Sequence, residues 1–400
     1  MERPKGPLAG LRILDLSTVV AAPFAATLLG DLGADVTKVE LPDGRDPLRT
    51  LPPHKGDVPL WWKVTNRNKR GITLDVRTAE GKALFLRLIA DQHVLVENFR
   101  TGTMDRWGLD AATLRERNPR LTILRVTGFG QTGPYKTRPG FARLFEALSG
   151  LAYITGPADR PPTYCGFPVS DTIAGLFGAI GILSALLHAR DHPDQPGQDI
   201  DLSATEAMLR ILEFLPIEYD QLGIVRERTG NQSGYNAPVN TYLTADGKWL
   251  SLHASMPAMF ARLTALMGQP ELAADARFSS QSARMEHVDE LDRIVGGWVA
   301  TRTLQEHCET LAAADITHAP IYSIKDVFHD PQFQAREALI TIEDARLGPV
   351  RMQGPVPRFS ATPGGVLRSG PELGQHNAEV YGQIGVDAAE LAGLRARGVV

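Results

Sequence analysis

The chain has 400 residues, 43% of them hydrophobic and 22% charged, with a formal net charge of -4. That balance excludes a wholly disordered chain and a general nucleic-acid binder, which needs a broad basic field, and the length allows a large core shared between two domains. The only cysteines, Cys165 and Cys308, are too few for a disulfide scaffold and lack the spacing of zinc ligands, so a reducing compartment and no metal are expected.

The opening Met-Glu-Arg-Pro-Lys-Gly contains no apolar leader core, which fits a cytoplasmic protein. Residues 11–16 form a short apolar strand, residues 23–32 a helix with Pro23 in its first turn, and residues 34–40 a second strand. The pattern repeats with a strand over 71–76, a helix over 79–89 and a strand over 93–97, and residues 121–126 add another strand. Such alternation predicts an α/β fold: a large Rossmann-like domain with a mainly parallel sheet and helices on both faces. Ligands of such sheets bind beyond the carboxyl ends of the strands. After the first strand, however, Ser17-Thr-Val-Val-Ala-Ala-Pro-Phe-Ala-Ala has none of the glycines of a dinucleotide turn, and no Walker loop is present. Dehydrogenase and kinase chemistry are set aside on that ground.

Polar patches punctuate the predicted strand ends. They comprise Thr65-Asn-Arg-Asn-Lys-Arg70, the pair Asp75 and Arg77, and Glu97-Asn98-Phe99-Arg100 followed by Arg106. Arginine and lysine in such places suit the phosphates of a nucleotide-like ligand, and Phe99 suits packing against a base. Any one of these arginines taken alone reads more readily as solvated surface charge.

Asp171 precedes sixteen residues, 172–187, that carry no charge. Pro168 disfavours helical dihedrals at Phe167, so a helix is expected to start there, with Ser170 or Asp171 accepting from its first free amides and the helix dipole keeping the carboxylate ionised. An ionised carboxylate is a nucleophile, and Asp and Ser are also ordinary caps. Sixteen apolar residues fall short of the ~20 that a bilayer needs, and Gly175, Gly178 and Gly181 suit close packing, which points to a buried helix and no membrane. Beyond a turn-rich loop at 193–197, a strand over 198–202 leads into a helix over 205–215. A hairpin over 242–252 turns at Asp246-Gly247, and helical segments fill 256–314, so that a smaller α+β domain is expected.

Short motifs in fixed order then carry a resemblance: Leu8-Ala-Gly-Leu-Arg-Ile-Leu-Asp-Leu16, Leu32-Gly-Ala-Asp-Val-Thr-Lys-Val-Glu40, Asn66-Arg-Asn-Lys-Arg-Gly-Ile72, Leu95-Val-Glu-Asn-Phe-Arg-Thr-Gly102 and Gly128-Phe-Gly-Gln-Thr-Gly-Pro-Tyr135. Pro139-Gly-Phe141, Asp171, Ala319-Pro-Ile-Tyr-Ser323, Asp330-Pro-Gln332 and Leu373-Gly-Gln-His-Asn377 continue it. Together they resemble the class III coenzyme A transferases, the CaiB/BaiF group that includes formyl-CoA transferase and carnitine CoA-transferase. The resemblance implies that Asp171 is the covalent catalyst and that acyl-CoA is a substrate, with no prosthetic group. It implies a coenzyme A site formed by Leu74, Asp75, Arg77, Asn98, Phe99, Arg100, Arg106 and the segment Pro139, Gly140, Phe141 and Ala142. It further implies that the chain after about 330 returns to the large domain and that two subunits interlock as a homodimer. The domains expected are 1–204 with 331–400, a linker helix over 205–224, and a small domain over 225–330.

Val20 and Leu41 replace a glutamine and an arginine of formyl-CoA transferase, which argues against formyl or oxalyl specificity. Arg70, Arg143, Tyr164, Asn236 and His253 are polar groups with which an acyl pocket would hold a carboxylic acid, and an arginine there suits a second carboxylate. Succinyl-CoA as donor and a C4 to C6 acceptor such as mesaconate, itaconate, citramalate or glutarate follow. The racemase branch of the same family needs a histidine and an aspartate where this chain has Phe141 and Ala142, and a phenyl ring moves no proton. A coenzyme A binder without turnover is the other alternative, although it would be expected to lose Asp171. His376 reads as structural.

Overall fold

The computed structural model describes residues 6–400, so nearly all of the segment read for a leader lies outside the described residues. The chain divides into two compact units, Met1–Leu151 with Cys165–Asp220 and Gln334–Val400, and Ala152–Tyr164 with Gln221–Phe333.

In the first unit six strands pair in the order Lys69–Thr73, Asp35–Glu40, Arg12–Asp15, Val94–Glu97, Thr122–Thr127, Asp199–Ser203. Every pairing is parallel. Numbered along the chain this is the order 3-2-1-4-5-6, whose topological switch point lies between Arg12–Asp15 and Val94–Glu97. Successive residues of a strand face opposite sides, and both sides are apolar here. Leu14, Leu95 and Ile123 join a core with Phe85, Tyr381 and Leu394 on one face. Ile13, Val94 and Leu124 join another with Ala25, Leu29, Ala174 and Ile182 on the other. Each such buried Val, Leu, Ile or Phe side chain contributes about 1.5–3 kcal/mol of transfer free energy.

Three expectations are corrected. The strand placed at 71–76 is Lys69–Thr73, because the charged Lys69 and Arg70 lie inside the sheet, matched by Asp15 at 2.8 Å and Asp35 at 3.0 Å. The helix placed at 205–215 is two helices, Ala204–Arg210 and Leu215–Leu222, with Glu213 at φ +34 between them. Residues 152–164, expected in the large domain, belong to the second unit: Gly230 N–H donates to Gly156 O at 2.9 Å, and Arg228 Nη1 donates to Tyr153 O at 2.7 Å.

The second unit has a three-stranded antiparallel sheet, Thr317–Pro320, Trp249–His253, Val239–Leu243, whose expected hairpin turns with Gly247 at φ +72. Helices Pro257–Leu266, Val288–Val299 and Leu304–Ala313 supply Phe260, Leu263, Leu291, Val295 and Leu311 to its core. Arg284 is buried there and satisfied, donating to the carbonyls of Ala237, Phe278 and Ser255.

Candidate functional site

Asp171 sits in the first turn of the helix Val169–Asp191. Neither Ser170 nor Asp171 caps it: Pro168 occupies the cap position, no side chain bonds to the first amides, and the Ser170 hydroxyl donates instead to Ala142 O at 2.8 Å. Among the described residues nothing forms a hydrogen bond or ion pair with the Asp171 carboxylate. The expectation that its environment favours ionisation is also corrected. Burial, reinforced by the negative Glu146, pushes the Asp171 carboxyl up to about 6. It remains mostly ionised at neutral pH.

Glu146 is the residue that reading the sequence missed. It lies on the helix Ala142–Ser149, is 2% exposed, and its Oε1 has no hydrogen-bond partner. Burial raises its carboxyl too, with Arg143 opposing the shift. A buried, unsatisfied carboxyl that acts electrostatically on another is the kind of arrangement found at functional sites. Its sequence signal was faint: an acid inside a short amphipathic helix that follows a glycine.

Small residues bring these parts together. A Cβ on Gly175, one turn after Asp171, would lie 2.8 Å from Ala21 O and 2.8 Å from the Phe24 ring, so the helix carrying Asp171 lies directly against the first turn of Ala21–Asp31. Gly140 likewise has the Phe145 ring where a Cβ would stand, at 2.5 Å.

Ala21–Asp31 follows the segment Ser17–Val20, which lies at the switch point. Asp15 accepts from both the amide and the hydroxyl of Ser17, and Lys38 Nζ donates to Ser17 O. Asn98 Oδ1 accepts Thr18 N–H at 2.8 Å, and its Nδ2 donates to Thr18 O at 2.8 Å. Asp46 accepts Val19 N–H at 3.1 Å. Val19 is thereby held at φ +64, a left-handed conformation costly for a β-branched residue. Beside this segment lies a pocket of about 80 Å³ walled by Leu16, Leu41, Leu74, Val76, Phe99 and Trp107, with Arg45 and Asp46 also on its lining. The rings of Phe99 and Trp107 meet edge to face at 4.8 Å.

Of the predicted nucleotide residues, Leu74 and Phe99 therefore line the pocket. Asp75 and Arg77 pair with each other at 2.7 Å, Arg106 Nη2 donates to Thr103 Oγ1, and Arg100 is exposed. Pro139 and Phe141 are exposed, while Gly140 and Ala142 are partly buried at the start of the Glu146 helix. Arg143 is exposed on that same helix. Tyr164, Asn236 and His253 belong to the second unit: His253 Nε2 lies 3.0 Å from Ser255 Oγ, and Asn236 Oδ1 is buried without a hydrogen-bond partner.

Arg70 is withdrawn from the acyl pocket. It stands second in its strand, near the amino edge opposite the pocket, and its guanidinium donates to Asp35, Thr37, Glu379 and Gln383. The whole 65–70 patch proves structural: Arg67 and Asn68 bind Asp31, and Lys69 donates to Asp15, Asn66 and Pro23 O. His376 is structural as read, accepting Gly71 N–H at 3.0 Å. Among the described residues no group of three or more His, Cys, Asp or Glu is placed to hold a metal ion.

Comparison with known proteins places the chain in a family. Succinyl-CoA--D-citramalate CoA-transferase of Chloroflexus aurantiacus is 44% identical over 402 residues, covering 100% of this chain and 99% of its own. The beta subunit of succinyl-CoA--L-malate CoA-transferase of the same organism is 42% identical, covering 98% of each chain. A crystal structure of a CAIB/BAIF family protein from Brucella suis superimposes with a TM-score of 0.86 at 33% identity, covering 96% of this chain and 100% of that one. The profile of CoA-transferase family III matches residues 8–377, and the chain belongs to that family of enzymes that transfer coenzyme A.

Proposed function

We propose that this enzyme moves coenzyme A from succinyl-CoA to a C4 to C6 dicarboxylic acid through covalent intermediates on Asp171. The observation that carries the reading is the Asp171 carboxylate itself: unengaged, partly buried, and destabilised as an anion by burial and by Glu146. A higher pKa makes a stronger nucleophile, and a value of about 6 still leaves the group ionised at neutral pH. Relatives whose names specify succinyl-CoA with citramalate or malate support the substrate class.

The chemistry needs no net proton and no redox step. An Asp171 oxygen attacks the donor thioester carbonyl, the C–S bond breaks, and coenzyme A leaves as thiolate from a mixed anhydride. The thiolate attacks Cγ of Asp171 and expels the donor carboxylate, leaving an aspartyl-CoA thioester. An acceptor carboxylate attacks that Cγ, releases the thiolate and forms a second anhydride. The thiolate then attacks the acceptor acyl carbon, giving the new acyl-CoA and free Asp171. Negative charge builds on a carbonyl oxygen at each step, and main-chain N–H groups of the first helical turn are the stabilisers proposed. Arg143, on the helix that carries Glu146, is the proposed partner of the second carboxylate. The pocket of Leu74 and Phe99 is the proposed seat of the nucleotide end of coenzyme A.

A homodimer is part of the proposal. By length and composition Val169–Asp191 is long and apolar enough to cross a membrane, and its mostly exposed outer face corrects the expectation of a fully buried helix. Leu176, Ile180, Leu183 and Leu187, spaced 4, 3 and 4 apart, are 38–58% exposed on one side of it. Such a stripe on a helix whose other face packs on a protein core fits a second copy of the chain better than lipid.

Intact-mass analysis after mixing with succinyl-CoA and quenching with hydroxylamine or borohydride tests the mechanism. Modification that maps to Asp171 and vanishes in Asp171→Ala is the expected result. Absence of any adduct with several donors, together with exchange of the α-proton in deuterium oxide, would transfer the assignment to racemase chemistry.

A further inference from the structure

The turn Asn98–Phe99 is held by the residue before it. Glu97 ends the strand Val94–Glu97, is 2% exposed, and accepts the Phe99 N–H on Oε2 at 2.7 Å. Its Oε1 lies 3.6 Å from Nη1 of Arg125, its register partner on the neighbouring strand. Arg125 is in turn 3.5 Å from Asp199 on the next strand. The other charge acting on Glu97 is Asp105, on the short helix Thr103–Arg106. Burial is the largest influence and pushes the Glu97 carboxyl up to about 7; the Phe99 amide and Arg125 oppose it, while Asp105 and Asp199 add to it. A buried carboxylate is an expensive way to hold one amide, since an amide acceptor of the same shape would cost far less desolvation.

The charge does have a consequence two residues away. Phe99 shares its edge-to-face contact with Trp107 and walls the pocket with Leu41, Leu74 and Val76. Asn98, between the two, is fastened to Thr18 by two hydrogen bonds. The Phe99 ring is therefore set by its contact with Trp107 together with a main-chain anchor, the bond to Glu97.

We propose that Glu97 is a positioning residue for coenzyme A, its ionised carboxylate fixing the Phe99 backbone so that the ring stays on the pocket wall. This rests on coenzyme A occupying that pocket. A charged acceptor binds an N–H about twice as strongly as a neutral one. When Glu97 takes up a proton, the Phe99 anchor weakens and Arg125 keeps only Asp199 as a counter-charge. Coenzyme A affinity then rises with pH through neutrality, over and above the titration of the ligand's own phosphate.

Calorimetric titration of coenzyme A into the enzyme at about pH 6 and about pH 8, on either side of the Glu97 transition, tests this on wild type, Glu97→Gln, Phe99→Ala and the double variant. Comparison with Glu97→Gln cancels the phosphate contribution. At the higher pH the expected result is about five- to tenfold weaker binding by Glu97→Gln, a smaller pH step than in wild type, and no further loss on adding Glu97→Gln to Phe99→Ala. In turnover the KM for the CoA thioester rises while kcat holds. Wild-type affinity of Glu97→Gln at both pH values, or an equal further loss in the Phe99→Ala background, overturns the proposal. Should Glu97→Gln fail to fold, the pH step must still be smaller in Phe99→Ala than in wild type, and an unchanged step overturns it. Failure of the wild-type protein to bind coenzyme A at all overturns the pocket assignment as well, whereas binding with a silent Glu97→Gln overturns only the positioning role.

Discussion

Asn98 spans the topological switch point by exchanging two 2.8 Å hydrogen bonds with the backbone of Thr18. Asn98, one of the residues that the resemblance assigns to the coenzyme A site, joins the carboxyl ends of two neighbouring strands at the crevice where such sheets bind ligands. Asn98→Leu removes the donor and the acceptor together and leaves the Thr18 N–H and C=O unmatched. The expected cost is about 1–3 kcal/mol in urea unfolding, with a raised KM for the CoA thioester. An unchanged KM in a destabilised variant would show that the clasp serves folding alone.

Asp171 and Glu146 give the enzyme a predictable acid limb. In the mechanism proposed, attack needs the Asp171 anion, so with its carboxyl at about 6 the rate should fall as pH drops through that value. Glu146→Gln removes the like charge but leaves the burial, so the limb should move to lower pH without reaching the ordinary range of an aspartate. A limb that stays in place in Glu146→Gln would remove Glu146 from the electrostatics of the nucleophile.

The same raised value has a sign for stability. The folded protein holds the Asp171 proton more tightly than the unfolded chain does, so this contribution is fully present below about pH 4 and is lost as pH rises through about 6. Asp171→Asn should therefore be more stable to urea than wild type by about 1–3 kcal/mol at neutral pH, with the advantage shrinking in acid. Equal stability at neutral pH would mean that the carboxylate is solvated better than its burial indicates.

Gly175→Ala tests the packing that aims the nucleophile proposed, Asp171. The new methyl meets Ala21 O and the Phe24 ring at 2.8 Å, so one helix must shift, at about 1–3 kcal/mol. Because Asp171 lies one turn away, kcat should fall along with thermal stability. Full activity in a destabilised variant would show that the shift is absorbed by Phe24.

Much of this fold is legible in the sequence because the central parallel strands are buried on both faces and read as apolar runs: Ile13-Leu14, Val94-Leu95 and Ile123-Leu124 each divide between the two cores. The 65–70 patch misled because its partners Asp15, Asp31 and Asp35 are distant along the chain, and a charged run looks the same whether it meets solvent, phosphate or a buried acid. Asp171 stood out through contrast with the uncharged run after it. Glu146 did not, since its meaning lies in burial without a partner, which spacing along a chain cannot express. The clasp of Asn98 was hidden for a related reason: a polar side chain near a ligand crevice serves equally well to build the crevice.

Arg70 and Arg143 separate scaffold from specificity. Arg70 is buried and shared among Asp35, Glu379, Gln383 and Thr37, so Arg70→Met removes four hydrogen bonds and an ion pair and should cost about 3 kcal/mol in stability. Its lack of access to the carboxyl edge predicts an unchanged KM for the acceptor acid. Arg143 is exposed on the helix that carries Glu146 and opposes the rise of that carboxyl, so Arg143→Gln should cost about 1 kcal/mol or less in unfolding. As the partner proposed for the second carboxylate, its loss should raise the KM for a dicarboxylic acceptor by about tenfold or more and spare a monocarboxylic acid of the same length. Steady-state rates with matched pairs of mono- and dicarboxylates decide the matter. Equal losses on both acids would place Arg143 outside the acyl pocket, and a selective loss in Arg70→Met would return Arg70 to it.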